Sequence, residues 1–159
     1  MASSRTGRAT RAANGTESAL ETAPLDGHLG FLLRLAQQRV FEEFHRRFGA
    51  EGLTPARYSV MVLLAANPDA RQVALAEALQ IKQPNLVVLI HAMEAEGLVE
   101  RRADASNRRA NLLRLTPAGA ALLARLEPAV RAMDAGFWAG LPEAERASLF
   151  AALRRVVRS

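Results

Sequence analysis

The stretch from Gln72 to Thr116 constrains this chain most. Its apolar residues fall at helical spacing from Gln72 to about Leu79, break for three or four residues, and resume from Gln83 to Glu96. Gly97 then stands where a helix needs a C-terminal stop. Two short helices joined by a tight turn are a helix-turn-helix. Leu98 to Arg102 and Leu112 to Leu115 follow as strand-like runs. The polar, turn-forming segment Ala103 to Asn111 separates them, so the pair reads as a β-hairpin.

The flanks extend a helical pattern. Residues 1–24 are rich in Ala, Ser, Thr and Gly without periodicity and are expected to form a disordered tail, its first half basic through Arg5, Arg8 and Arg11. From about Leu25, the residues Leu29, Leu32, Leu33, Ala36, Val40, Phe44 and Phe48 recur every three or four positions and form one stripe of a long helix. Gly49 and Gly52 end it. Thr54-Pro55 opens the next helix with a capping hydroxyl and a proline at the first helical position. That helix carries Val60, Val62, Leu63 and Leu64, is apolar on most sides, and is therefore expected to be buried. Asn67-Pro68-Asp69 stops it. Thr116-Pro117 starts another long helix, expected to continue to about Ala139 with a kink at Pro128. Leu141-Pro142-Glu143 opens a final helix, with acids at its start and Arg154, Arg155 and Arg158 at its end. The order is helix, helix, helix-turn-helix, hairpin, long helix, helix: a mainly α fold with a small β-hairpin.

Composition agrees and excludes several functions. Half of the 159 residues are apolar but only 5% are aromatic, which favours helices over a β-sandwich. No run reaches the roughly 18 apolar residues of a membrane span, and the N-terminus has no apolar signal region; a cytoplasmic location is expected. With no cysteine, thiol catalysis and Cys-containing metal sites are excluded. His28, His45 and His91 stand apart without metal-ligand spacing, and no nucleophile triad or phosphate-binding glycine loop is present. The expectation is a protein that is not an enzyme and takes neither metal nor cofactor. A net charge of +5 suits a polyanionic partner and equally serves solubility alone, so the placement of the arginines decides.

In a helix-turn-helix, the start of the second helix meets base edges in the major groove. Here that turn is Lys82, Gln83, Pro84 and Asn85. Gln and Asn suit bidentate contacts to adenine, and Lys82 can reach guanine or phosphate. Taken alone, these residues also fit an ordinary capped surface helix. The hairpin adds Arg101, Arg102, Arg108, Arg109 and Arg114 within fourteen residues, against Glu100 and Asp104. Arginines near a hairpin tip have little to pack against and can enter a minor groove or bind phosphates. A merely solvated charge run is the other reading.

On these segments the chain resembles the MarR family of winged-helix regulators, nearest in flavour to its SlyA-like members. The matching elements are LAEAL, IKQPNLV, EAEGLVERR, DASNRR and LRLTPAG, and the likeness runs from about Leu25 onwards. The family's wing pattern, Asp-x-Arg followed by Leu-Thr-x-x-Gly, maps to Asn107-x-Arg109 and Leu115-Thr116-x-x-Gly119. The resemblance implies a winged helix-turn-helix at about 54–116, with dimerisation helices at about 25–50 and 117–158. It implies a homodimer that reads pseudo-palindromic double-stranded DNA, with Arg109 in the minor groove, and that represses transcription until a ligand binds. Leu149, Phe150, Leu153, Val156 and Val157 fit the dimer role. The resemblance further implies a small aromatic or phenolic anion as effector, for which His28, Phe31, Arg34, Arg57, Tyr58 and Met61 are the candidate contacts. The chain departs from the pattern at Asn107, where the family has Asp, and at Val88, where SlyA-like members carry Arg. Those departures keep a second reading open: a winged-helix interaction or dimerisation module with weak or lost DNA binding.

Overall fold

The computed structural model describes residues 22–104 and 107–158, and of 104 and 107–111 the backbone alone. Most of the expected tail lies outside these residues; its end, with Leu25, forms a 3-10 turn, Ala23–Leu25. The elements are α1 (Leu29–Phe48), α2 (Pro55–Ala66), β1 (Ala70–Arg71), α3 (Gln72–Leu79), α4 (Gln83–Ala95), β2 (Val99–Asp104), β3 (Asn107–Leu115), α5 (Pro117–Trp138) and α6 (Glu143–Arg158). Two compact units emerge, Met1–Ala36 and Gln37–Ser159; α1 begins in the first and ends in the second. Within the first unit, the Arg34 guanidinium lies over the Phe31 ring at 5.4 Å, while Leu29, Leu32, Leu33 and Leu35 are exposed.

The second unit holds the core. Phe44 and Phe48 at the end of α1 pack with their rings tilted, centroids 4.9 Å apart, and are buried with Leu53. Thr54 caps α2 by accepting the Arg57 amide at 3.2 Å, and Pro55 occupies the first turn, where no amide is needed. α2 then buries Val60, Met61 and Leu64 against α3, α5 and β3. Val62 departs from the expected burial: it is 39% exposed, because the neighbouring elements cover the other sides of α2 and leave this one to water.

β1, too short to show in the sequence pattern, pairs through Ala70 and Arg71 with Leu113 and Leu112. The sheet is antiparallel in the order β1-β3-β2. The hairpin is longer than expected: β2 reaches Asp104 and β3 already begins at Asn107, with a register shift at Ala103/Asp104. Arg108 and Arg109 therefore lie on a strand rather than in a turn. Backbone pairing carries the ladder beyond the last apolar residue, which hydropathy alone does not reveal. α5 runs as one helix through Pro128.

Two junctions set the hairpin against the helices. Gly97 adopts φ 70°, its amide donating to the Glu94 carbonyl at 2.9 Å, and the Leu98 amide reaches Met93 at 2.9 Å. This left-handed turn ends α4 and is open to glycine at little steric cost. At the same end of the sheet, where β3 leaves it, Thr116 donates its amide to the Leu98 carbonyl (3.1 Å) and its hydroxyl to the Gly97 carbonyl (2.6 Å). The same hydroxyl accepts the Gly119 amide at 3.0 Å. Gly119 is buried so closely against Leu98 that any Cβ would collide with the Leu98 carbonyl oxygen. The Thr-x-x-Gly spacing thus joins cap and close approach in one turn of α5.

Gly119→Ala should destabilise the protein by roughly 1–3 kcal/mol, the usual cost of forcing atoms into a packed site. Urea unfolding of the full chain measures it; an unchanged midpoint would mean that α5 can withdraw from Leu98 freely.

Candidate nucleic-acid interface

The surface presented by α4 follows from what its other side buries. Leu86, Ile90 and Met93 are each 0% exposed. Burial of each such side chain contributes roughly 1.5–3 kcal/mol, so the rotation of the helix about its axis is firmly set. The turn before it is equally defined. Gln80 takes the left-handed conformation (φ 53°), and the Ile81 amide donates to Ala76 at 3.0 Å. The Gln80 side-chain amide donates to the Glu77 carbonyl at 2.9 Å. The result is an angle of 113° between α3 and α4, within the range of helix-turn-helix pairs.

With that core face turned inward, Lys82, Gln83, Pro84 and Asn85 are all exposed on one turn. Lys82 is the N-cap without a side-chain cap bond, and no acid lies in the first turn. Amide donors, a positive helix end and an ammonium are brought together there, a combination suited to an anionic duplex edge.

The arginines of the hairpin divide into different duties. Arg114 is committed to Asp69, its Nε and Nη2 donating at 2.9 and 2.5 Å. This fork ties β3 to the turn before β1, where Asp69 holds φ 62°, and the carboxylate raises the Arg114 pKa above its ordinary value. Arg101, expected near the free tip, instead lies back on α4: its Nε is 3.2 Å from the Glu94 carboxylate and its side chain is 24% exposed. Nε and Nη2 are buried without an aligned acceptor, so charge rather than a well-formed hydrogen bond holds this pair. Arg102 is exposed beside Glu100 at 3.6 Å. The side chains of Asn107, Arg108 and Arg109 lie outside the described residues.

The six positions suggested for a small ligand divide between the two units. His28 is exposed in the first unit, where Phe31 and Arg34 already face each other. In the second unit, Met61 is 0% exposed and packs in the core. Arg57 donates to the Gly52 carbonyl at 2.9 Å and pairs with Glu96, joining the start of α2 to the end of α4. Tyr58 packs on Phe44 at 6.0 Å, and burial raises its phenol above the ordinary value. The second unit also holds a largely apolar groove of about 420 Å³, whose walls include Phe41, His45, Pro55, Ser59, Leu79 and Ile81. It abuts the turn between α3 and α4. His45 Nδ1–H donates to the Phe41 carbonyl at 2.7 Å, which leaves Nε2 as the ring's remaining polar atom. The sequence carried no signal for this groove, since its walls are ordinary residues from three separate helices and one turn. Among the described residues, no group of three His, Asp or Glu side chains is placed to hold a metal.

Because Arg101 is paired and largely covered while Arg102 is not, their truncations should separate. Arg101→Ala should lower unfolding stability by roughly 1–2 kcal/mol by leaving Glu94 unpaired, against less than about 0.5 kcal/mol for Arg102→Ala. Denaturant midpoints of the two variants check the order.

The architecture has close counterparts. The MarR family model matches residues 53–110. A putative transcriptional regulatory protein for the hcr operon of Thauera aromatica is 37% identical over 147 residues, covering 92% of this chain and 89% of that protein. The solved structure of the transcriptional repressor CouR bound to a 23-mer DNA duplex superposes with a TM-score of 0.82 at 37% identity, covering 88% of this chain and 99% of that one. CouR bound to p-coumaroyl-CoA gives 0.80 at 34% identity, covering 89% and 99%. These similarities do not extend to the finer SlyA-like likeness. Matched by family model, by sequence over nearly its whole length and by fold, the chain belongs to the MarR family.

Proposed function

We propose that the protein is a homodimeric, ligand-responsive transcriptional repressor that binds double-stranded DNA. One observation carries the reading: Lys82, Gln83, Pro84 and Asn85 stand exposed on one turn while the opposite face of α4 is locked in the core. The same chain order, at 37% identity, is found in a repressor solved on a DNA duplex. In this assignment Gln83 and Asn85 read base edges, Lys82 and Arg102 meet phosphate, and Arg108 and Arg109 serve the wing in the minor groove. Arg101 acts by bracing the hairpin on α4. The winged helix-turn-helix spans about 54–116.

The helices at about 25–50 and 117–158 serve dimerisation. α6 has no buried residue, yet it shows Leu149, Phe150, Val156 and Val157 to water at 40%, 37%, 47% and 84% exposure. A contiguous apolar helix face of this kind marks an interface, and a second copy is the partner that supplies the two-fold. Two recognition helices related by a two-fold read half-sites roughly 34–36 Å apart. Among the described residues no single helix is long and apolar enough to cross a membrane, and a DNA-bound regulator works in the cytoplasm beside the chromosome. The neighbour solved with p-coumaroyl-CoA supports an aromatic acid or its thioester as effector class. The groove at Phe41, His45 and Ile81 suits the planar aromatic part, because a ligand there bears on the α3–α4 turn and shifts the population of DNA-competent dimers.

Anisotropy titrations with duplex DNA test the reading. Affinity should fall steeply with salt, by about 0.9 log units per log unit of salt for each neutralised phosphate. Arg109→Ala should weaken binding to nearly every sequence and flatten that slope by about two phosphates per dimer. Gln83→Ala or Asn85→Ala should instead relax preference at particular bases, by roughly 1–3 kcal/mol of discrimination. Weak binding that ignores salt would favour the interaction-module reading.

A further inference from the structure

Val88 is 71% exposed on α4. It lies four residues beyond Pro84, so the two side chains sit one above the other on the helix. His91 and Ala92, also exposed, continue that face, and Leu86, Ile90 and Met93 occupy the opposite one. A branched apolar side chain held in water at the centre of a recognition surface is unfavourable until something apolar covers it. No acid occurs on α4 before Glu94, so nothing on this face repels a polyanion.

The deep part of a B-form major groove offers few apolar partners. Phosphates and sugars line its rim, and the base edges show hydrogen-bonding atoms with one exception, the C5-methyl of thymine. From the position of Val88 opposite the core face of α4, we infer that it is a specificity-determining residue that recognises a thymine methyl in each half-site. The inference rests on the DNA-binding reading above and adds to it: Gln83 and Asn85 read by hydrogen bonds, whereas Val88 reads by burial of a methyl group. Val88 makes thymine preferred over cytosine at one position, and over uracil in the same pairing context.

The test uses the full chain and duplexes of about 24 base pairs, sized to two half-sites one turn apart and selected by the protein from a random pool. Thymines of the selected duplex are replaced by deoxyuridine, one symmetric pair at a time, which removes only the methyl. One pair should weaken the parent protein about fourfold per methyl, hence about fifteenfold in the dimer, as expected for two methyl groups returned to water. Val88→Ala, an exposed change that leaves the core intact, should bind the thymine duplex more weakly and be insensitive to that replacement. A parent protein that tolerates every replacement within about twofold overturns the inference while leaving DNA binding intact. The inference falls equally if Val88→Ala keeps the full methyl sensitivity, which would assign the contact to Pro84 or another residue. Failure of the parent to select or bind any duplex overturns the DNA-binding reading itself, and this inference with it.

Discussion

The burial of Leu86, Ile90 and Met93 beneath α4 is the interaction on which the rest depends. A helix of thirteen residues has no fixed orientation of its own; it acquires one when three side chains on one face fill the core built by α2 and its neighbours. Once that face is spent, the polar turn at Lys82–Asn85 and the apolar side chain of Val88 can point only outward. Specific reading of a duplex needs such rigidity, because hydrogen bonds to base edges tolerate little rotation.

The hairpin obeys a second constraint. It is joined to its neighbours near its base by four ties: the Gly97–Leu98 turn, the Thr116–Gly119 cap, Arg114 with Asp69 and Arg101 with Glu94. The last two ties turn part of the basic charge inward. Among the described arginines of the hairpin, Arg101 and Arg114 are tied to acids on neighbouring elements, whereas Arg102 is exposed on the strand beside Glu100. These partly covered ion pairs each contribute modestly to stability, and they also fix the geometry of the hairpin.

Local structure was the most legible in the sequence. Thr54-Pro55 and Thr116-Pro117 start helices because a hydroxyl and a ring-locked φ act within one turn. The boundaries of α3 and α4 follow from periodicity and from Gly97 for the same reason. β1 left no such mark, because its two residues become a strand only where β3 runs beside them, and the start of β3 is extended by backbone pairing. Val62, expected inside, is exposed because hydropathy does not say how many sides of a helix have neighbours.

The order of the helices, their caps and the polar set at the start of α4 were determined by the chain itself, since each depends on residues within about four positions, the reach of a helical turn. The division of the arginines, the core position of Met61, the commitment of Arg57 and the groove beside the helix-turn-helix were decided only in three dimensions. Arg114 meets its acid 45 residues away and Arg57 meets its own at 39, separations that no local pattern encodes. A charged side chain is free or spent according to which opposite charge the folded backbone brings within reach.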